Sequence, residues 1–230
     1  MRVPSAPHVL ALWEHAQQAE PGRAALALLA CAHPDRSVAE LAALPLGRQD
    51  RMVIDLRARL LGPALHLRAA CPACGEPVEA ELAAVPETVP AITGEHTLTL
   101  DEHTAAFRLP GAHDIAAAAA SEDPQATLLA RCVREPPSPL PADLAAAVLT
   151  AMAELDPDAD LELTLECPAC THPWAAPLDI TAFFRAELGA WAARFSHEVD
   201  ALARAYGWAE ADILALTPAR RQLYLSRVSS

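Results

Sequence analysis

Four of the six cysteines in this 230-residue chain fall in two copies of one tetrapeptide, Cys71-Pro72-Ala73-Cys74 and Cys167-Pro168-Ala169-Cys170. Two thiols separated by two residues fit a tight turn, from which both sulfurs reach one tetrahedral metal ion. One such pair leaves two coordination positions open, and the second pair fills them. The expectation is a structural Zn²⁺ held by Cys71, Cys74, Cys167 and Cys170. A centre closed by four protein ligands has no position for a substrate or an activated water, so the expected metal is a fastener and not a catalyst. Three other readings use the same residues. The pairs would form disulfides in an oxidising compartment. A redox-active Cys-x-x-Cys usually opens a helix, where the dipole lowers the thiol pKa, and here the flanks read as strands. Finally, His172, two residues beyond Cys170, is a candidate ligand in place of one cysteine.

The elements that must position these thiols are written in the flanks. With the second copy shifted by 96 residues, Leu67 falls on Leu163, Pro77 on Pro173, Ala80 on Ala176 and Leu82 on Leu178. Leu65, Leu67 and Ala69 alternate before the first knuckle and Val78 to Leu82 follow it; Leu161, Leu163 and Leu165 precede the second. Each knuckle is therefore expected to join two short antiparallel strands. One difference stands out: Gly75 follows the first knuckle, where a left-handed backbone is cheap, but Thr171-His172 follows the second. The fold class read from this is α+β, a small zinc-ribbon-like antiparallel sheet with two knuckles surrounded by helices. Three segments are expected within one cooperative unit: an N-terminal helical segment over 1–62, a core with both knuckles over 63–178, and C-terminal helices over 179–230.

Short helices are predicted through the N-terminal segment, from His8 to Gln18, from Pro21 to near Cys31, from a Ser37/Glu40 capping box, and from Gly47 with Met52, Leu56 and Leu60 on one face. Pro86 and Pro90 mark a loop, and His96–Leu100 with Ala105–Leu109 a hairpin through Asp101-Glu102. Asp114 is expected to cap a helix reaching Ala120, and Asp123-Pro124 to start another. Glu135 to Pro141, the most proline-rich stretch, reads as a stiff connector or a domain boundary before a helix over 142–155. Two clusters invite metal chemistry and are better read as ordinary structure: Glu-His-Thr, repeated at 95–97 and 102–104, as polar strand ends, and Asp156 to Asp160, which lacks the glycine and glutamate of an EF-hand, as a turn. Cys31 and Cys132 stand alone in apolar surroundings and read as core residues.

From Asp179, an N-cap, the strongest helix signal in the chain runs through Phe184, Leu188, Trp191, Phe195, Val199, Leu202 and Tyr206 to a C-cap at Gly207. Its stripe reads as core, or in part as a surface for a partner helix. Trp208 to Leu216 and a helix begun by Thr217-Pro218 follow. The arginines at 220, 221 and 227 read either as a contact patch or as charges that offset a helix dipole. Trp208, Arg220, Arg221 and Tyr224 are the candidate partner-binding residues.

Composition excludes several functions. The formal charge is −13, and all 17 basic residues are arginine. An acidic chain opposes general nucleic-acid binding, which displaces counterions with a basic surface. With no lysine a Walker phosphate loop is impossible, and neither a nucleophile elbow nor a metalloprotease helix occurs. The chain is expected not to be an enzyme and to take no small-molecule substrate. No apolar run approaches the roughly 20 residues that span a bilayer, and the N-terminus lacks a signal-peptide pattern. A reducing cytoplasmic location is expected, with incorporation into an assembled particle left open.

Several strings taken together carry a resemblance: Leu165-Glu166-Cys167-Pro168-Ala169-Cys170, Trp174, Leu178-Asp179, Ala203 to Trp208, Asp212 to Arg221, and Tyr224-Leu225. They resemble the baseplate-hub family of T-even-type contractile phages, whose relatives occur in gene clusters for phage-derived contractile injection systems. Leu46-Gly47-Arg48-Gln49-Asp50 with the first knuckle is also similar to members from such clusters. The resemblance implies a non-enzymatic component or assembly chaperone of the baseplate hub, with hub, spike or tail-tube proteins as partners. A zinc-ribbon adaptor in transcription or nucleic-acid processing is the alternative, and the acidic composition counts against it.

Overall fold

A computed structural model of the chain describes residues 5–20, 23–83, 94–134 and 140–228. The expected helix start at Pro21, the loop at Pro86 and Pro90, and most of the proline-rich connector lie outside the described residues. The architecture is α+β: ten helices and seven short strands in three small antiparallel sheets among the described residues.

Helices α1 (Ala6–Gln18), α2 (Ala24–Ala32), α3 (Val38–Ala42) and α4 (Leu46–Leu61) make up the N-terminal segment. Local chemistry fixes their ends. Ser37 and Glu40 form the expected capping box, with Glu40 Nα 3.2 Å from Ser37 Oγ and Ser37 Nα donating to Glu40 Oε2 at 2.7 Å. The apolar faces of these helices meet the C-terminal helix α8 (Ile180–Tyr206) in the principal core. Leu12, Leu28, Leu29, Leu41 and Val53 are buried there against Ile180, Phe184 and Leu188. Residues far apart in sequence thus share one interior, and the stripe of α8 is largely core.

Two hairpins grow from this helical body. Strand β1 (Ala64–Ala70) follows α4 and pairs with β2 (Pro77–Ala83); β6 (Glu162–Glu166) pairs with β7 (Pro173–Pro177), which leads into α8. Their registers superimpose under the 96-residue shift: Ala70 faces Pro77 as Glu166 faces Pro173, and Ala69 faces Val78 as Leu165 faces Trp174. The base of each hairpin is rooted in the body, since Leu65 is buried in the principal core and Leu161 packs against it. Helices α4 and α8 are fastened to each other by Arg57, which is only 2% exposed and donates to Glu187 Oε2 at 2.9 Å and Oε1 at 2.6 Å. That bond holds the two hairpin bases side by side.

Between the hairpins the chain builds a second core. Strands β3 (Glu95–Leu100), β4 (His103–Arg108) and β5 (Val133–Arg134) form a sheet packed on α7 (Ala142–Leu155), with Phe107, Cys132, Leu144 and Val148 buried together. Helices α5 (Ala112–Ala119) and α6 (Pro124–Cys132) connect β4 to β5. Asp114 does not cap α5 as expected. Gly111 occupies the N-cap and donates to Asp114 Oδ2 at 3.0 Å, while Asp114 sits in the first turn, buried under Arg108 and Arg131. Past α8, Gly207 closes the helix at φ 68° with its N–H on Ala203 O, and α9 (Glu210–Leu214) and α10 (Pro218–Val228) fold back on α8.

Candidate metal centre

The two knuckles have one hydrogen-bond plan. Cys71 N donates to Glu76 O at 2.9 Å and Gly75 N to Cys71 O at 2.8 Å; Cys167 N donates to His172 O at 3.0 Å and Thr171 N to Cys167 O at 2.8 Å. The turn requires a left-handed residue, and both copies supply one: Gly75 at φ 77° and Thr171 at φ 59°. The missing glycine therefore leaves the second turn's path unchanged, but places a β-branched residue where its Cβ is unfavourable. Thr171 Oγ1 donates to Cys170 O at 2.7 Å, a local bond that offsets part of this strain.

Because the hairpin bases are adjacent, the tips meet. Cys71 Sγ lies 3.7 Å from Cys170 Sγ, Cys74 Sγ lies 3.6 Å from Cys167 Sγ, and all four sulfurs fall within 4.8 Å of one another. A tetrahedron with metal–sulfur bonds of about 2.3 Å has sulfur–sulfur edges of about 3.8 Å. The four thiols thus form a group that fits a metal ion. The first cysteine of each knuckle is buried and the second exposed, and the short approaches run from the first of one to the second of the other. Val78 and Trp174, equivalent under the repeat, close over the buried sulfurs.

The thiols perturb one another. Burial pushes the Cys71 thiol up, but the N–H groups of Cys74 and Ala73 and the neighbouring sulfurs bring it down to about 7. At Cys74 the backbone bond at Glu76 favours the thiolate, yet the sulfurs of Cys170 and Cys167 outweigh it and push the thiol up to about 12. At Cys170 the backbone bond at His172 and the thiol of Cys74 favour the anion, but burial and the sulfurs of Cys167 and Cys71 raise it overall. One thiolate forms readily and its neighbours resist, as expected of anions crowded together. A divalent cation at their centre would supply the charge that lets all four ionise. All six cysteines are free thiols, so the disulfide reading is not realised. Neither knuckle opens a helix. His172 is exposed, stacks beside Trp174 with ring centroids 6.4 Å apart, and is not among the converging ligand atoms.

Comparison with family models, curated proteins and solved structures yields no match. Among the described residues no other group of histidine, cysteine and acidic side chains converges on a metal-sized site, and no helix is long and apolar enough to cross a membrane. The Glu-His-Thr repeats remain strand ends: Glu95 reaches Arg134 and His96 packs on Phe107. Cys132 is fully buried and Cys31 half-buried against the core, where burial raises both thiols.

The candidate partner residues divide. Trp208 and Tyr224 join Tyr206 in an aromatic cluster, with ring centroids 4.7, 4.9 and 5.7 Å apart. Arg220 is exposed. Arg221 is not a surface residue: it is buried, donates to Glu198 Oε2 at 2.7 Å and lies over the Phe195 ring, so it pins α10 to α8.

The sequence reading missed three further structural contacts. Asp156 Oδ2 accepts from Gly47 N at 3.0 Å, and Asp158 pairs with Arg51, so the acidic turn caps the start of α4. Arg57 with Glu187 sets the frame beneath the four cysteines. The only local hint was a glycine near a helix start, for no signal in the sequence links residues more than a hundred positions apart.

Proposed function

We propose that this chain is a non-enzymatic, zinc-clasped structural or assembly protein, and that its place is the baseplate hub of a phage-tail-like contractile injection system. The observation that carries the first half is the convergence of four thiols, two from each hairpin, into a group of tetrahedral size. Zn²⁺ is the metal that four thiolates in this arrangement select most commonly, with iron the competitor. Bound there, it would neutralise the crowded thiolates and tie the hairpin tips together. Every ligand position would be filled by protein, which removes the open site that hydrolytic or Lewis-acid chemistry needs. The second half rests on the resemblance of the segment around the second knuckle and the C-terminal helices to the baseplate-hub family, and an acidic chain with an aromatic C-terminal end suits protein assembly better than nucleic-acid work.

Two experiments test the halves separately. Elemental analysis of protein purified without affinity to metal should return one zinc per chain, and Co²⁺ exchange should give the visible spectrum of a tetrahedral thiolate centre. A metal-free protein with four readily alkylated thiols overturns the clasp. For the placement, co-expression with hub, spike and tail-tube proteins from the same gene cluster should yield a stable complex. Co-purification with none of them, or a chromosomal neighbourhood without sheath, tube and baseplate genes, overturns it.

A further inference from the structure

The end of the chain carries a surface that the clasp does not use. Helix α10 holds three arginines and no acidic residue, on a chain whose formal charge is −13. Arg221 is spent inside, on Glu198 and Phe195. Arg220 and Arg227 are exposed, and neither has an acidic partner among the described residues. At positions i and i+7 they lie on one face of the helix, about 10 Å apart along its axis. Leu223 and Tyr224, at i+3 and i+4, stand between them on that face.

The apolar part of this face is equally out of place on a solvated helix. Four large hydrophobic side chains are exposed among the described residues, and three of them, Tyr206, Leu223 and Val228, belong to this end of the molecule. Leu223 is 55% exposed. Tyr224 is half-buried where it meets Tyr206 and Trp208, and Tyr206 Oη donates to Tyr224 O at 3.5 Å. The cluster gives the face a rigid aromatic edge. Aromatic and arginine side chains together are the residue types that anchor protein interfaces.

We infer that this face of α10, formed by Arg220, Leu223, Tyr224 and Arg227 with the aromatic edge of Tyr206 and Trp208, docks an acidic amphipathic helix of another protein. Charge complementarity selects the occupant. Two unpaired guanidinium groups flanking an apolar strip match carboxylates one heptad apart with apolar residues between them. Further copies of the chain are acidic as a whole and meet this face with attraction, but a helix with that spacing is the occupant the geometry specifies. The inference rests on the assembly reading above for its purpose, although neither its residues nor its test involve the clasp.

The test uses the full-length protein as purified and a synthetic helical peptide with glutamate at i and i+7 and leucine at i+3 and i+4. A matched peptide with lysine for glutamate, and oligothymidine, are the controls. Amide and indole NMR signals report the site. Binding of the acidic peptide should shift signals of Tyr206, Trp208 and α10, weaken with salt, and lose about tenfold in affinity in the Arg220→Glu, Arg227→Glu variant. Leu223→Ser should weaken it as well. Both arginines are exposed, so these variants retain the fold; Arg221→Glu is unsuitable because it breaks the α10–α8 contact. Equal binding of both peptides, shifts elsewhere, saturation by oligothymidine, or concentration-dependent self-association through α10 overturns the inference. Metal content measured in the same samples separates the outcomes: a zinc-loaded protein that ignores the acidic peptide sinks this inference alone, and a peptide-binding protein without metal sinks the clasp alone.

Discussion

Asp50 is a carboxylate placed where ionisation is disfavoured, and replacing it with asparagine should stabilise the protein in a pH-dependent way. It lines a cleft of about 490 Å³ between the start of α4, helix α5 and the start of α8. Burial, and after it the charges of Asp179, Asp156 and Asp158, push its carboxyl up to about 7 from an ordinary 3.8. Arg185 lines the same cleft, where its Nε is buried without a hydrogen-bond partner among the described residues. The folded state thus holds this proton more tightly than the unfolded state. Below about pH 4 both states are protonated and Asp50 costs nothing; between about pH 4 and 7 the unfolded chain gains by ionising, so the contribution of Asp50 to stability falls, then levels off above pH 7. At about 1.4 kcal/mol per unit the ceiling is about 4 kcal/mol, and screening in a water-facing cleft reduces it to about 1–2 kcal/mol. Guanidinium unfolding of wild type and Asp50→Asn, both metal-loaded, at a series of values from about pH 5.5 to 8.5 reads the effect, and the shared clasp cancels in the difference. The advantage of the variant should grow with pH and level off near 8. A difference that is flat across the series, or a variant less stable at pH 8.5, refutes the reasoning and means that Arg185 or another cation pairs with Asp50 in solution.

Asp114 has the opposite sign. Burial pushes its carboxyl up, but Arg108, the N–H of Gly111 and Arg131 together bring it down to about 2, so its contribution is complete above about pH 4 and lost as pH falls toward 2. Asp114→Asn should cost about 2 kcal/mol at pH 7 in thermal or chemical unfolding, with the gap to wild type narrowing on acidification. Gly47→Ala should destabilise by about 2 kcal/mol despite the better helix propensity of alanine, because its Cβ would run into Asp156 Oδ1 and fall 2.7 Å from Ala159 N; an unchanged midpoint refutes the close approach. In the knuckles, Gly75→Thr should cost about 1–2 kcal/mol, whereas Thr171→Gly should change stability little, since relief of strain is offset by the lost Cys170 bond and by glycine's entropy. Chelation of the metal should raise hydrogen exchange at the knuckles while the amides of α4 and α8 stay protected; uniform loss of protection would show that the frame depends on the clasp.

The elements legible in the sequence are those whose signal is local. The Ser37/Glu40 box, the Asp179 cap, the Gly207 terminus and the apolar stripe of α8 each sit within a few residues of the backbone they organise. The convergence of the four cysteines was legible for a different reason: a repeated tetrapeptide brings its ligand arithmetic with it, and the matched flanks carry matched registers. The charged contacts were not legible. Arg57 belongs to the polar side of a helical pattern, and its burial is made tolerable by the carboxylate of Glu187, 130 positions away, together with the carbonyl of Gly62. Asp114 has the sequence context of an N-cap, but Gly111 suits that position and leaves the carboxylate to Arg108 and Arg131. Arg221 shares its helix with two exposed arginines, and nothing local marks it as the one that turns inward.

These contacts also explain why the thiols meet. A two-stranded hairpin alone is marginal in water, and the small apolar patch of Cys71, Val78, Cys167 and Trp174 does little to hold two of them together. The bases are held instead by α4 and α8, whose shared core and Arg57–Glu187 bond would exist without a metal. That frame brings the four sulfurs within 4.8 Å before any cation arrives, so the ordering cost of assembling the site is met largely by the helical core. On a site assembled in this way a metal ion would act as a lock on an existing arrangement, and its stabilising effect would fall chiefly on the hairpin tips. The same frame leaves α10 at the far end of α8, fastened by Arg221 alone among its arginines, with Arg220, Leu223 and Arg227 exposed to solvent.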